Sequence, residues 1–341
     1  MRDPMQKPQH ILVIRLSAMG DVAMGIPVIY AFAKAHPEIK ITVLSKPFFK
    51  AIIDTIPNLH FVAAETHTNH KGILGIWRLS RQLKKEGITH VADIHNVLRS
   101  KILRFFLGLP NTKINKGRAE KKALTSQNNP FFKPLKTTVQ RYVEVFEHLG
   151  FSEILPAVLP RPDVTHNVYK VIGKTTHKLI GIAPFAAHQG KQYPIDLMKE
   201  VIQKLDTLSG IHLFLFGAPT EKELLHIVTE NCQNATVVAG TLKFPEEINL
   251  IAQLDIMLSM DSGNGHLAAM YGVPTVSLWG VTHPHAGFAP LYQEAHCLLS
   301  DREQYPAIPT SIYGNKVPEG YEDVMRTITP QRVVDKIASL V

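Results

Sequence analysis

The fold is decided by residues 256–269, whose sequence is IMLSMDSGNGHLAA. An apolar run at 256–260 leads into a short polar turn at 261–266, and small apolar residues follow with helical spacing. Apolar runs of this length are typical of strands buried on both faces of a parallel sheet. Where the helix starts, backbone N–H groups lack helical partners and the helix dipole is positive. The turn therefore predicts either an anion-binding site or an ordinary helix cap, since Asp and Ser are also favoured cap residues.

The same strand–turn–helix pattern occurs at residues 11–22, which read ILVIRLSAMGDV. Asp21 lies where the helix is expected to begin. A carboxylate at this position interacts favourably with the positive end of the helix dipole, which is a sufficient structural reason for it. The functional alternative is that Asp21 acts as a general base. The pattern alone leaves both interpretations open.

Strand-like and helix-like segments alternate along both halves of the chain, which predicts parallel βαβ units in doubly wound sheets. Between the halves, residues 150–176 contain Pro156, Pro160 and Pro162 and show little periodicity, as is typical of a linker. We therefore expect an α/β protein with two Rossmann-like domains facing a central cleft, at residues 1–165 and 166–325. Ligands of open α/β sheets bind at the carboxyl ends of the strands, so the loops of both domains are expected to line that cleft.

The composition favours an ordinary globular protein: 45% of the 341 residues are hydrophobic and 19% are charged. No apolar run reaches the ~18–20 residues needed to span a bilayer, and no signal peptide is recognised, so a cytoplasmic protein is expected. Lys and Arg side chains concentrate at residues 84–122 and contribute to a net charge of +8. This cluster is either a solvated face or a surface that meets a phosphorylated acceptor in a membrane. No nucleic-acid-binding module is recognised.

Two further residues have both a structural and a functional interpretation. Lys191 is either an exposed loop lysine or a positive charge that holds a departing diphosphate. Glu221 is either an acid at a helix N-terminus, where it interacts favourably with the helix dipole, or an acceptor of hydrogen bonds from a ribose. The pair His283 and His285 lies near the turn at 261–266, but a third ligand is missing at any standard spacing, so no metal site is predicted.

Taken in order, these motifs resemble glycosyltransferase family 9, the ADP-heptose:lipopolysaccharide heptosyltransferases. The resemblance extends from residue 11 to about residue 290. Its most specific parts are SAMGDV at 17–22, Lys191 before Tyr193-Pro194, and DSGNGHLAA at 261–269. The resemblance implies the GT-B fold, with a C-terminal helix at 326–341 packing back on the N-terminal domain.

The resemblance also implies roles for individual residues. Asp21 matches the catalytic base, Lys191 the lysine that binds the donor phosphates, and Glu221 the acid that contacts the ribose. The donor site would further include Asp261, Ser262, Gly263, Asn264, Gly265 and His266. The acceptor would face Arg15, Arg118 and Arg141. The sequence departs from the family pattern at His95, Asn96 and His283, where the family commonly has Gln, Gly and an acid, and these departures leave the identity of the sugar and nucleotide open.

The resulting prediction is an inverting, metal-independent glycosyltransferase that moves a heptose from ADP-heptose to a lipopolysaccharide inner-core acceptor. Its partners would be an ADP-sugar donor and an anionic glycolipid at the inner-membrane surface, with no cofactor, no nucleic acid and no stable protein partner. A peripheral place on the cytoplasmic face of that membrane fits such an acceptor. Two alternatives stay open: another nucleotide sugar or surface-glycan acceptor, and a non-catalytic nucleotide-binding protein. A dehydrogenase or epimerase is disfavoured because the turn at 261–266 lacks the dinucleotide fingerprint.

Overall fold

The computed structural model describes residues 8–126 and 132–341 and divides into two compact units. The first unit comprises Met1–Lys116 and Thr138–Leu159, and the second comprises Gly117–Thr137 and Pro160–Val341. Residues 1–7 and 127–131, which belong to the predicted first domain, lie outside the described residues.

The first unit contains a parallel sheet, formed in its described residues by β1 (His10–Ile14), β2 (Lys40–Ser45), β3 (His60–Ala63), β4 (His90–Asp93) and β5 (Asn111–Lys113). The strand order is β3-β2-β1-β4-β5, and all neighbouring pairs are parallel. Its helices are α1 (Met19–Ala35), α2 (Lys50–Ile53), α3 (Gly72–Lys85), α4 (Leu98–Leu107) and α6 (Thr138–Glu147). Helix α5 (Arg118–Leu124) belongs to the second unit.

The core of the first unit follows from the uninterrupted apolar sequence of β1, which is buried at every position. Leu12 and Ile14 pack in one cluster with the inner faces of α3 and α4. Ile11 and Val13, at the alternate positions, are equally buried and face the opposite side of the sheet. Helices therefore cover β1 on both sides, as in a doubly wound sheet.

The second unit contains another parallel sheet, formed in its described residues by β6 (Lys178–Ala183), β7 (Ile211–Leu215), β8 (Ala235–Val237), β9 (Ile256–Met260), β10 (Thr275–Trp279) and β11 (Cys297–Leu299). The order β11-β10-β9-β6-β7-β8 is the Rossmann arrangement, with the reversal between β6 and β9. Its further helices are α7 (His166–Ile172), α8 (Ile195–Asp206), α9 (Lys222–Val228), α10 (Phe244–Gln253), α11 (Gly263–Ala269) and α12 (Pro330–Ala338).

Short 3-10 segments complete the described secondary structure, at Pro47–Phe49, Gln189–Lys191, Pro219–Glu221, Pro284–Ala286, Glu294–His296 and Val324–Thr327. In the described residues, no helix combines the length and the apolarity that crossing a bilayer requires.

The C-terminal helix α12 packs on α8 within the second unit. The packing of residues 326–341 on the N-terminal domain, which the resemblance implies, stays a prediction. Val333 and Ile337 on its apolar stripe join the same core cluster as Val201 and Leu205 of α8. The helix is strongly amphipathic, and burying this stripe against α8 is what fixes its position.

The prediction assigned residues 117–137 to the first domain, whereas their described parts, 117–126 and 132–137, cluster with the second unit. The Lys121 ammonium lies 4.0 Å from the centre of the Phe288 ring, a cation–π contact. The backbone N–H of Leu135 donates to the carbonyl of His285 at 2.9 Å. These contacts attach the segment to the loop that follows β10.

The predicted linker at 150–176 is partly helical. Helix α7 occupies its end, and Asn249 of α10 accepts the backbone N–H of Thr165 at 3.1 Å while donating to the carbonyl of Asp163 at 2.9 Å. The second unit accordingly begins at Pro160, before the predicted boundary at 165/166.

Candidate functional site

One candidate site, in the first unit, lies where the strand order of the first sheet reverses. Strands β1 and β4 are neighbours there, while the chain runs from each toward opposite edges of the sheet. Loops at the carboxyl ends of such strands separate and leave a crevice, which is where open α/β sheets bind ligands. The loop after β1 carries Arg15, the first turn of α1 carries Asp21, and the loop after β4 carries His95.

The carboxylate of Asp21 is held by one of its two oxygens. Its Oδ2 lies 2.6 Å from Nη2 of Arg15 and accepts the backbone N–H of Ala18 at 3.3 Å. Among the described residues, Oδ1 has no hydrogen-bond or ion-pair partner, and about a quarter of the side chain is exposed. One oxygen thus fixes the orientation of the carboxylate and the other is available to an incoming hydroxyl.

Arg15 is buried and already engaged. Besides its ion pair with Asp21, its Nη1 donates to the carbonyl of Ile94 at 2.8 Å, and its guanidinium carbon lies 5.7 Å from the centre of the Tyr142 ring. The hydroxyl of Tyr142 donates to the backbone carbonyl of Asp21 at 3.2 Å. The predicted role of Arg15 was to face the acceptor, and these contacts add a second one, which is to position Asp21.

His95 occupies the position at which the sequence departs from the family pattern. Its Nδ1 accepts the backbone N–H of Leu16 at 3.3 Å, which places the ring proton on Nε2. Burial lowers the pKa of His95 to about 3, and the positive charge of Arg15 adds to this effect. The ring is therefore a neutral hydrogen-bonding group beside the Arg15–Asp21 pair.

The other two predicted acceptor residues are placed differently. Arg141 of α6 is buried, and its Nη1 donates to the carbonyl of Asn115 at 3.2 Å in the first unit. Arg118 is exposed at the start of α5 and belongs to the second unit. Their assignment to the acceptor stays a prediction.

A second candidate site, in the second unit, lies at the corresponding reversal of its sheet, between β6 and β9. Lys191 comes from the loop after β6 and Asp261 from the turn after β9, and the two side chains meet. Nζ of Lys191 lies 2.8 Å from Oδ2 of Asp261 and donates to its backbone carbonyl at 3.0 Å. An ammonium group has three N–H donors, so one is left for a ligand.

Two residues that support this pair were not predicted. The Thr282 hydroxyl, in the loop after β10, donates to Oδ2 of Asp261 at 3.0 Å. Gly314 lies against the aliphatic part of Lys191, because a Cβ at this position would come within 2.4 Å of the lysine Cγ. Its φ of +77° also favours glycine. Through Gly314, the segment at residues 301–322 contacts Lys191, the predicted phosphate-binding lysine.

The turn at 261–266 forms the expected strand-to-helix junction, and Ser262 is the N-cap of α11. The Ser262 side chain makes no capping hydrogen bond, and its Oγ is buried without a hydrogen-bond partner in the described residues. Because buried hydroxyls normally have partners, this atom favours a ligand over a simple cap. Gly265 has a packing role, since a Cβ there would lie 2.5 Å from Oγ of Ser259 in β9. His266 is buried in α11, while Gly263 and Asn264 are half-buried.

Glu221 lies after β7, the neighbour of β6, and so belongs to the same edge of the second sheet. Its Oε2 accepts the backbone N–H of Ala218 at 2.6 Å, which is the helix-start role considered from the sequence. Among the described residues, Glu221 makes no hydrogen bond or ion pair with Lys191 or Asp261. Its contact with a ribose stays a prediction.

A cavity of about 520 Å³ opens in the second unit beside residues that follow β10 and β11. Its lining residues are Phe132, His283, His285, Leu299, Ser300, Asp301, Arg302, Thr327 and Arg332. The guanidinium of Arg302 stacks 3.5 Å from the centre of the Phe132 ring. Burial lowers the pKa of His283 to about 3, so a neutral ring stands where the family commonly has an acid. Within residues 8–126 and 132–341, no group of His, Cys, Asp or Glu side chains could hold a metal ion.

The two buried histidines predict a specific sensitivity to acid. Burial lowers the pKa of both His95 and His283 to about 3, so both stay neutral in the folded protein at mildly acidic pH. In the unfolded chain each ring takes up a proton below its ordinary pKa of about 6.5. The unfolded state then binds more protons, so the free energy of unfolding falls as the pH drops. Between pH 7.5 and 5.0 we expect a loss of about 2 kcal/mol for each histidine.

Urea denaturation at both pH values measures this loss. The His95→Asn and His283→Asn variants should each lose less stability on acidification than the wild type. His226→Asn, at an exposed position of α9, is the matched control and should follow the wild type. Equal pH dependence in all four proteins would contradict the prediction.

Comparisons with known proteins agree on one family. A model described as glycosyltransferase family 9 (heptosyltransferase) matches residues 76–314. The chain is 24% identical over 292 residues to the lipopolysaccharide core heptosyltransferase OpsX of Haemophilus influenzae, which covers 82% of this chain and 81% of that protein.

Solved structures show the same fold. The glycosyl transferase family 9 protein of Veillonella parvula matches with a TM-score of 0.79 at 20% identity, covering 97% of both chains. The ADP-heptose lps heptosyltransferase II of E. coli matches with a TM-score of 0.70 at 19% identity, covering 97% of this chain and 98% of that one. With two parallel α/β sheets and these neighbours, the predicted GT-B fold class is confirmed.

Proposed function

The chain belongs to glycosyltransferase family 9, and from this premise we propose that it transfers a heptose, with inversion, from ADP-heptose to a lipopolysaccharide inner-core acceptor. The observation that carries the proposal is the Asp21 carboxylate, held by Arg15 through one oxygen and available through the other. It lies at the strand reversal of a sheet, where ligands of this fold class bind.

Asp21 is the proposed general base. In an inverting transfer, the acceptor oxygen attacks the anomeric carbon as the bond to the diphosphate breaks, and the hydroxyl proton must go to a base. Oδ1 of Asp21 would accept that proton, while Oδ2 keeps its contacts with Arg15 and Ala18. The Tyr142 hydroxyl, bonded to the Asp21 carbonyl, fixes the backbone that carries the base.

Lys191 and the turn at 261–266 are the proposed site of the leaving diphosphate. Two donors of the Lys191 ammonium are directed to Asp261, which orients the third. The partnerless Ser262 hydroxyl and the first backbone N–H groups of α11 supply further donors. Donors fixed in advance stabilise the negative charge that develops on the diphosphate without a reorganisation cost during the reaction.

The identity of the donor is proposed from the similarity of this chain to known heptosyltransferases. The structure of the E. coli relative is described as an ADP-heptose lps heptosyltransferase, and the family model as a heptosyltransferase. We assign the ribose to Glu221 and the diphosphate to Lys191 and the turn. His283 replaces a commonly acidic residue, so the sugar-binding loops of this chain differ from the family pattern, and other nucleotide sugars need to be compared directly.

The acceptor is proposed from the name of the Haemophilus influenzae relative, a lipopolysaccharide core heptosyltransferase. A phosphorylated inner core is anionic, which fits a chain of net charge +8 with its Lys and Arg residues concentrated at 84–122. Arg15, Arg118 and Arg141 are the proposed acceptor-facing residues. The acceptor would be met at the cytoplasmic face of the inner membrane.

The deciding experiment is mass-spectrometric detection of product from a lipid A–inner-core acceptor with ADP-heptose, GDP-sugars and UDP-sugars in parallel. The proposal expects a heptosylated product with ADP-heptose alone. Product from another donor would keep the reaction class and change the substrate. Donor binding without any product would instead favour a non-catalytic nucleotide-binding protein.

A further inference from the structure

The outer face of α3 and α4 exposes large apolar side chains that a soluble surface would normally bury. The exposed fractions are 63% for Ile73, 73% for Leu74, 49% for Trp77, 74% for Leu98 and 80% for Phe105. The inner faces of the same helices bury their apolar residues in the core of the first unit. The helices therefore carry apolar residues on two sides, and the core explains only one of them.

Basic residues accompany these apolar side chains. They are Arg78, Arg81, Lys84 and Lys85 on α3, and Arg99, Lys101 and Arg104 on α4. The two helices contain no Asp or Glu. Of these seven side chains, Arg104 is paired with Asp93 and the others have no acidic partner in the part of the chain that the structure describes.

The spacing places both kinds of side chain on common stripes. Ile73, Trp77 and Arg81 follow at four-residue intervals along α3, so they lie on one side of the helix. Leu98, Lys101 and Phe105 form a similar stripe on α4. The two helices pack against each other on one side of the sheet. We call the exposed sides of both helices the α3–α4 face.

We propose that the α3–α4 face binds the surface of an anionic lipid bilayer. Its aliphatic and aromatic side chains would enter the boundary between headgroups and acyl chains, where Trp is favoured. The unpaired Arg and Lys side chains would remain at the level of the phosphates, with their alkyl parts covering apolar surface.

Charge decides between this occupant and a second copy of the chain. A two-fold dimer through the α3–α4 face would bring two faces without acids together, so like charges would meet. An anionic bilayer supplies the missing negative charge and an apolar phase in one partner. The inference deepens the proposed function, because it supplies the surface by which the enzyme reaches a lipid-linked acceptor.

Vesicle co-sedimentation of the full chain tests the proposal without donor or acceptor. We expect binding to vesicles of phosphatidylethanolamine and phosphatidylglycerol, and little binding to phosphatidylcholine. Leu74→Ser/Trp77→Ser should remove most of the binding, and Arg81→Gln should weaken it about fivefold at low salt. The matched controls are Leu155→Ser and Lys34→Gln, which change an exposed apolar and an exposed basic residue outside α3 and α4. Thermal melting of each variant verifies that it is folded.

Four outcomes would overturn the inference. They are equal binding to both vesicle types, no effect of the variants beyond their controls, a concentration-dependent dimer that Leu74→Ser/Trp77→Ser abolishes, and a preference for nucleic acid over vesicles. Transfer to a water-soluble acceptor without acyl chains separates this inference from the proposed function. If transfer occurs but vesicle binding fails, only the membrane surface is wrong, whereas vesicle binding without transfer contradicts the proposed function.

Discussion

Replacing Asp21 with asparagine is expected to lower kcat by about 10²- to 10⁴-fold, the usual contribution of a positioned general base. The amide has nearly the shape of the carboxylate, so it can still accept the Ala18 N–H and lie beside Arg15. It cannot accept a proton from the acceptor hydroxyl at neutral pH. Donor binding should be unchanged, because the residues proposed to hold the donor are in the second unit.

The measurement is steady-state transfer kinetics together with the dissociation constant of ADP from calorimetry. Asp54→Asn is the matched control, because it also removes a carboxylate from the first unit. Asp54 is exposed, and its ion-pair partner is Lys50 of α2. The control should retain wild-type kcat. Near wild-type turnover by Asp21→Asn would remove Asp21 as the base, and a parallel loss of ADP binding would indicate a structural role for the residue instead.

The residues of the candidate site that could be predicted from the sequence are those carried by local patterns. Asp21 and Asp261 each lie where an apolar strand is followed by a helix. In each of the two parallel sheets, such turns lie at the edge formed by the carboxyl ends of the strands. The meeting of Lys191 with Asp261 follows from the same rule, because their loops leave neighbouring strands β6 and β9. The two Rossmann-like units were predictable from the alternation of strands and helices, and the GT-B fold class was implied by the resemblance to the family.

The contributions that could not be predicted come from parts of the chain far apart in sequence. Thr282 bonds to Asp261 because β10 lies beside β9, and Gly314 contacts Lys191 from a segment with no regular structure. Neither residue has a local signal that distinguishes it from an ordinary threonine or turn glycine. The resemblance implied that Arg15 faces the acceptor, but its hydrogen bond to the carbonyl of Ile94 becomes visible only when β1 and β4 pair.

Element placement failed where packing, rather than pattern, decides. Nothing in the sequence of α12 indicates which surface buries its amphipathic stripe, and within the second unit that surface is α8. Residues 117–137 lie before the proline-rich linker in sequence, but contacts such as Lys121 on Phe288 hold them to the second unit. A boundary read from prolines cannot detect a segment that crosses between units and returns.

Replacing Lys191 with alanine should have two effects that can be separated. It removes the ammonium proposed to meet the diphosphate, which should reduce kcat/KM by about 10²- to 10³-fold, the scale for losing one fixed donor at a developing charge. It also leaves the buried Asp261 carboxylate with Thr282 as its remaining side-chain partner. Breaking a buried ion pair from one side typically costs about 3–5 kcal/mol, so the single variant should be markedly less stable.

The double variant Lys191→Ala/Asp261→Asn distinguishes the two effects. It removes both charges, so no unpaired carboxylate is buried and most of the lost stability should return, as measured by urea denaturation. Donor affinity and kcat/KM should stay low, because the restored stability brings back no positive charge for the diphosphate. Lys199→Ala removes a more exposed lysine from α8 and should change neither the stability nor kcat/KM. If the double variant regained activity together with stability, Lys191 would be a structural partner of Asp261, and the leaving-group role would pass to the turn alone.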